Sequence, residues 1–266
     1  MPSTSIGDIQ LDYRDSGGDG LPVLLVHAFP LNAGMWDPQI ASLGDRYRLI
    51  APDLKGFGAS SAPDDPGAYT MGSYSEELAG LLDHLGLESV VLVGLSLGGY
   101  IAFEFLRRFP GRVSALVLAD SRAEADPPEG VAKRTKQQAM VRDEGTAGLI
   151  EALVGALSSE ATRAGKPDVV ARLKELMDNP VAGFVGGLEA MKKRPDSTDD
   201  LAKIEVPTLI IVGEDDAVTP PDAARKMHEH IGGSRLVVIP EAGHLSNIET
   251  PEVFNGALAD FLADLD

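Results

Sequence analysis

A chain of 266 residues, 44% of them hydrophobic, suits one large domain or a core carrying an insertion. Its 41 acidic against 23 basic side chains give a net charge of −18, which argues against a nucleic-acid partner or an anionic membrane surface. Cysteine is absent, so disulfides, thiolate catalysis and Cys-ligated metals are excluded. Residues 1–7 lack a signal peptide's apolar core, and no apolar run is long enough to span a bilayer, so a soluble, cytoplasmic protein is expected.

In chain order, residues 6–14 alternate loosely and predict an edge strand. Val23, Leu24, Leu25 and Val26 stand in a row within residues 21–27, the pattern of a parallel strand buried on both faces. Further strands are predicted at 47–52, 89–93, 112–119, 206–212 and 234–239. Helices fall between them: 73–85, with Leu78, Leu81, Leu82 and Leu85 at helical spacing, and 97–109, ended by Pro110. Two more are predicted at 220–231 and 250–265, with Thr219 and Thr250 as caps ahead of Pro220 and Pro251. Strands alternating with helices predict an α/β fold, a mostly parallel sheet covered by helices on both faces. Residues 121–203 break the rhythm. They hold no convincing strand, only amphipathic stripes at 146–157 and 169–177. A helical lid inserted between two sheet strands is expected there, with 1–120 and 204–266 forming the core.

The segment Val90-Val-Leu-Val-Gly-Leu-Ser-Leu-Gly-Gly-Tyr100 joins a strand to a helix through Gly94-Leu95-Ser96-Leu97-Gly98. A serine on so tight a turn crowds the residues two positions away, and glycine on both sides removes the clash. The serine oxygen is then raised above the sheet at the positive end of a helix, which suits a nucleophile that develops negative charge. A dinucleotide fingerprint would need glycine where Ser96 stands. A serine nucleophile needs a base and an acid to orient it. Carboxylates follow the strand at 206–212 in Gly213-Glu214-Asp215-Asp216, and His244 follows the strand at 234–239. His84, His228 and His230 fall on helical stretches as ordinary surface residues, and the last two do not share a helix face for a metal.

These features resemble the α/β-hydrolase superfamily of serine hydrolases with a helical cap. The resemblance spans about residues 9–262. It rests on His27-Ala28-Phe29-Pro30, Asp53-Leu54-Lys55-Gly56-Phe57-Gly58, the Ser96 turn, Gly213-Glu214-Asp215-Asp216-Ala217-Val218-Thr219-Pro220 and Gly243-His244-Leu245-Ser246-Asn247-Ile248-Glu249. Within the superfamily the chain is most similar to 3-oxoadipate enol-lactonases and small carboxylesterases. The resemblance implies Ser96 as nucleophile, His244 as general base and Asp216 as acid, with the neighbouring Asp215 and the strand-end Asp120 as alternatives for the acid. It implies an oxyanion hole from the backbone N–H groups of Phe29 and Leu97. Ala28 departs from the family's usual glycine and limits backbone freedom there. His27 and Asp53 are expected to shape loops rather than to react.

An aspartate at the Ser96 position would suit haloalkane or epoxide chemistry; serine suits attack on an ester or lactone carbonyl. The expected activity is hydrolysis of a small to medium carboxylic ester or lactone through an acyl-serine, with no cofactor and no metal. The alternatives are a cofactor-free haloperoxidase or perhydrolase using the same triad, and a non-catalytic ligand-binding protein on the same scaffold. Met140, Phe184 and Met191 are candidates either for the pocket wall or for packing inside the lid. No arginine or lysine can be placed in the pocket from sequence, so nothing there supports an acidic lactone as substrate.

Overall fold

A computed structural model describes residues 1–265. Eight strands form one mixed sheet: β1 (Ser3–Ile6), β2 (Ile9–Asp15), β3 (Pro22–Val26), β4 (Arg48–Pro52), β5 (Val90–Leu95), β6 (Val113–Ala119), β7 (Thr208–Gly213) and β8 (Arg235–Ile239), in spatial order β1-β2-β4-β3-β5-β6-β7-β8. The pairs β1–β2 and β2–β4 are antiparallel and all later pairs are parallel. The start of the chain is therefore a hairpin rather than the single predicted edge strand. Gly7, at φ 57°, lets it turn back between Ile6 and Ile9.

Every residue of β5 and β7 is buried, as are Val23–Val26 of β3, which accounts for their unbroken apolar runs. After β3 the chain crosses to β4 on one side and then returns to β5 on the other. This reversal opens a crevice at the carboxyl ends of β3 and β5, the place where open α/β sheets collect their ligands.

The helices are α1 (Asp37–Leu43), α2 (Met71–His84), α3 (Leu97–Arg108), α4 (Pro128–Glu144), α5 (Ala147–Leu157), α6 (Glu160–Gly165), α7 (Pro167–Leu176), α8 (Val181–Lys192), α9 (Pro221–His230), α10 (Ser246–Glu249) and α11 (Pro251–Ala263). Thr70 caps α2 in a reciprocal pair with Ser73. The two predicted threonine caps are not formed. Helix α9 starts at Pro221 without a side-chain cap, and the Thr219 hydroxyl donates to Asp216 instead. The Thr250 hydroxyl donates to the Ser246 carbonyl.

Helices α4 to α8 and a 3-10 turn at Thr198–Lys203 form the helical lid, inserted between β6 and β7. The lid is bound to the core at several points. Asn179 donates to the Pro30 carbonyl at 2.8 Å and accepts from Gly58 N–H at 2.7 Å. Helix α8 packs so closely on the loop after β4 that a Cβ at Gly183 would collide with the Gly56 carbonyl.

Candidate active site

The Ser96 turn follows from crowding. Ser96 has φ 54° and ψ −109°, a strained conformation for a residue with a side chain. A Cβ at Gly94 would run into the Gly98 carbonyl, and one at Gly98 into the Val26 carbonyl of the neighbouring strand. Glycine at both positions lets strand, turn and helix close up. Ser96 N–H donates to the Ala119 carbonyl at 2.9 Å, fixing the turn to β6. Helix α3 begins at Leu97, directly after it, so the Leu97 N–H lies in a first turn that offers no intrahelical acceptor.

Ser96, His244 and Asp216 converge from three strand ends. The His244 Nε2 lies 2.8 Å from Ser96 Oγ, and its Nδ1 lies 2.8 Å from Asp216 Oδ2. With Nδ1–H donated to the carboxylate, Nε2 is left to accept the Ser96 hydroxyl proton. Asp216 is itself held firmly. Its Oδ1 accepts the N–H groups of Val218 and Thr219 at 2.8 and 2.9 Å, and its Oδ2 accepts the Thr219 hydroxyl at 2.7 Å. Burial alone would raise the Asp216 pKa, but the facing His244 and the hydrogen bonds take it below the ordinary carboxylate value. Burial likewise pulls His244 down, and Asp216 more than offsets this, leaving the imidazole above its usual 6.5. Asp215 is exposed on the same loop, and it is Asp216 that bonds the histidine.

Asp120 lies at the end of β6 with φ 43° and no solvent exposure. It does not hydrogen-bond His244. Its Oδ1 accepts Gly213 N–H at 2.8 Å, and its Oδ2 lies 2.6 Å from Ser246 Oγ and 3.2 Å from Ser246 N. It thus braces the end of β7 against the loop that carries His244. Burial, followed by the nearby Asp216 charge, pushes its pKa up to about 8.

The loop after β3 holds Phe29 against Phe57 and Phe184, with ring centroids 6.0 and 5.6 Å apart. Among the described residues the Phe29 N–H has no backbone acceptor. His27 is buried and accepts the Leu54 N–H at Nε2, 3.0 Å away, while its Nδ1 lies 2.9 Å from the Ala28 carbonyl. Burial lowers its pKa to about 4, so it is a neutral bracket between two loops. Asp53 accepts the N–H groups of Ala33 and Ala59 at 2.8 and 2.9 Å and ties the loops after β3 and β4 together.

Glu249 has a structural part that the sequence pattern did not assign. Its Oε1 accepts Gly243 N–H at 3.0 Å and Leu245 N–H at 3.3 Å, one on each side of His244. Its Oε2 accepts Ser159 N–H of the lid at 2.7 Å. The His244 N–H donates to the Leu157 carbonyl, also of the lid, at 3.0 Å.

A cavity of about 690 Å³ opens over Ser96 and His244 between core and lid. Met191 lines it; Phe184 is fully buried and packs on Phe29, and Met140 faces a separate surface groove. Arg122, Lys133, Arg134 and Arg163 also line the cavity. The first of these lies just past the end of β6, a position where parallel sheets place functional side chains, and that was the one signal available for it. No cluster of metal-ligating side chains occurs among the described residues, and no helix among them is long and apolar enough to cross a membrane.

The same fold occurs in known proteins. A family model described as the alpha/beta hydrolase fold matches residues 22–251. The chain is 30% identical over 253 residues to 3-oxoadipate enol-lactonase 2 of Acinetobacter baylyi, covering 94% of this chain and 92% of that protein. Among solved structures it is similar to a thermophilic esterase from Thermogutta terrifontis, in a malate-bound form, with TM-score 0.92, 42% identity and coverage of 96% and 94% of the two chains. It is also similar to the enol-lactonase from Burkholderia xenovorans, with TM-score 0.91, 28% identity and coverage of 98% and 100%.

Proposed function

The chain belongs to the α/β-hydrolase family, and on that premise we propose that it hydrolyses carboxylic esters or lactones through an acyl intermediate on Ser96. The observation that carries the reading is the continuous relay from Ser96 Oγ through His244 to Asp216, with both hydrogen bonds at 2.8 Å. Relatedness to esterases and enol-lactonases along nearly the full chain supports the same chemistry.

His244 removes the Ser96 proton as Oγ attacks the carbonyl carbon. Asp216 holds the ring in the tautomer that leaves Nε2 free and stabilises the imidazolium that forms. The N–H groups of Leu97 and Phe29 receive the oxyanion of the tetrahedral intermediate, helped by the positive end of α3. Collapse breaks the C–O bond, and His244 returns its proton to the leaving alkoxide. In a lactone this opens the ring. A water molecule deprotonated by His244 then attacks the acyl-Ser96 ester, and the bond to Ser96 Oγ breaks as His244 returns the proton to that oxygen, releasing the acid. Residues 121–203 act as the lid and set the size limit. A cavity of about 690 Å³ suits small to medium substrates.

The test uses wild type and Ser96→Ala with a fluorophosphonate probe and with p-nitrophenyl acetate. Wild type should be labelled once per chain and turn over the ester. The variant should keep its fold and lose both properties. Equal labelling of the two proteins would overturn the assignment of Ser96.

A further inference from the structure

Sequence patterning casts Thr219 as a helix cap, but α9 begins at Pro221 with no side-chain cap. The hydroxyl is directed into the acid–base pair instead. Thr219 is 1% exposed, and its Oγ1 lies 2.7 Å from Asp216 Oδ2 and 3.2 Å from His244 Nδ1. Nδ1 itself lies 2.8 Å from Oδ2. Three polar atoms thus form a small triangle with two protons to share, one on the hydroxyl and one on Nδ1. Both are donated to Oδ2, the charged acceptor. With its own proton committed there, Oγ1 can turn only lone pairs to Nδ1, and it becomes a longer second acceptor for the Nδ1 proton.

The Thr219 backbone adds a further donor. Its N–H donates to Asp216 Oδ1 at 2.9 Å, beside the Val218 N–H at 2.8 Å. One residue therefore holds both oxygens of the carboxylate and fixes the plane in which it faces the imidazole. Without the hydroxyl, both remaining backbone donors sit on Oδ1. The carboxylate can then pivot about that oxygen, and Oδ2 is held by His244 alone. An acid anchored only by the base it orients drifts with it as the ring passes a proton from Ser96 to the leaving group. An acid anchored by Thr219 gives the ring a fixed reference. The β-branched side chain suits this task, because few χ1 rotamers are open to it.

Other acidic groups near the ring do not duplicate the contact. Asp120 and Glu249 act on His244 through space, and their oxygens are engaged elsewhere. Asp120 is bonded to Gly213 and Ser246, and Glu249 to the N–H groups of Gly243, Leu245 and Ser159. Among the described residues only Asp216 and Thr219 touch Nδ1. Burial pushes Asp216 towards its neutral form; His244 opposes this most, and the Thr219 hydroxyl and N–H follow. The hydroxyl thus also helps to keep the carboxylate charged.

We propose that Thr219 is a positioning residue of the reaction: its hydroxyl pins Asp216 Oδ2 against His244 Nδ1, and turnover depends on that pin while substrate binding does not. The role of the contact in turnover rests on the ester or lactone hydrolase reading given above. Its geometry does not, because the pin is a property of the free protein.

The experiment uses Thr219→Val, which keeps the shape of the side chain and removes its hydrogen bonding, and Thr219→Ser, which keeps the hydroxyl. Steady-state hydrolysis of p-nitrophenyl acetate gives kcat and KM. Proton NMR below the imidazole pKa gives the low-field Nδ1–H resonance, assigned by its absence from His244→Asn. Thr219→Val should lower kcat roughly 10- to 50-fold and change KM less than about 2-fold. Its Nδ1–H signal should move upfield and exchange with water faster, because Oδ2 no longer stays in line. Thr219→Ser should recover most of kcat and the wild-type signal. Thermal melts verify folding, and if Thr219→Val does not fold, Thr219→Ala makes the same comparison. Wild-type kcat in the valine variant would overturn the proposal. So would a loss of kcat that leaves the Nδ1–H signal unmoved or that serine fails to rescue, since that pattern marks Thr219 as loop packing only. The NMR arm separates these outcomes from failure of the hydrolase reading. If wild type cleaves no ester, a low-field signal shifted in Thr219→Val and kept in Thr219→Ser still supports the pin, and a signal identical in all three proteins rejects it.

Discussion

Asp216→Asn exchanges one oxygen for an NH₂ group, and the surrounding hydrogen bonds decide which oxygen. Oδ1 accepts two backbone N–H groups, from Val218 and Thr219. An amide nitrogen there would set donor against donor twice, so the asparagine oxygen must take that place. The NH₂ group then faces His244 Nδ1, which at present donates to Oδ2 at 2.8 Å. To avoid a clash of donors, the imidazole must give up its Nδ1 proton and carry it on Nε2. That tautomer cannot accept the Ser96 proton. The variant also loses the negative charge that stabilises the imidazolium. Both effects fall on the chemical step, so kcat should drop about 10⁴-fold, equivalent to about 5.5 kcal/mol of transition-state stabilisation. Steady-state hydrolysis of p-nitrophenyl acetate by Asp216→Asn, Asp215→Asn and Asp120→Asn measures this, with thermal melts to verify folding. The two other variants should lose no more than several-fold. A mild defect at Asp216 beside a severe one at Asp120 would refute the reasoning and move the acid to β6.

Two predictions concern pH. The base must be neutral to act and its pKa is raised, so kcat/KM for a neutral ester should fall on acidification with a midpoint above 6.5; a midpoint below that value would mean Asp216 does not govern the ring. Asp120 is raised from 3.8 to about 8, so the folded protein keeps a proton there that the unfolded chain releases. The resulting stabilisation is complete below pH 3.8 and is lost as pH rises through about 8. Asp120→Asn is neutral throughout, so its Tm relative to wild type should climb between pH 4 and 8. Its loss of the weak Ser246 N–H contact is a constant offset, and a difference in Tm that stays flat with pH would contradict the shift.

Much of the fold was legible because buried strands leave a one-dimensional mark. Val23–Val26 and the run from Val90 to the Gly94 turn have few other uses in a globular chain. Ser96 was conspicuous because its glycine neighbours obey a steric need that is local in sequence. The acid was harder to find. Asp215 and Asp216 are adjacent, and only the folded loop shows that Asp216 turns inward to Thr219 and His244 while Asp215 stays in solvent. The lid was read least well. In α8, Gly183, Gly186 and Gly187 resemble loop residues, yet Gly183 is needed because the Gly56 backbone lies against it. In α4 only Gln138 and Val141 are buried, and Gln138 is held by hydrogen bonds to Val185 and Glu189, so no apolar stripe announces the helix. The cationic cavity wall was hidden for the same reason, since Lys133 and Arg134 sit on that unannounced helix.

The attachment of the lid to the histidine loop bears on how this scaffold can diversify. His244 is positioned by its neighbours' N–H groups, gripped by Glu249, and by its own N–H on the Leu157 carbonyl. Glu249 and Leu157 stand on opposite sides of the core–lid boundary, and Ser159 closes the circuit between them. Specificity and catalysis therefore share a mechanical joint. A transplanted lid that offered a new pocket but lacked a carbonyl at Leu157 and an N–H at Ser159 would arrive with its proton shuttle loosened. Pocket changes that keep the α5–α6 junction and work inward from α4 and α8 leave that joint intact, and they mark the side of the lid on which new substrates are most readily accommodated.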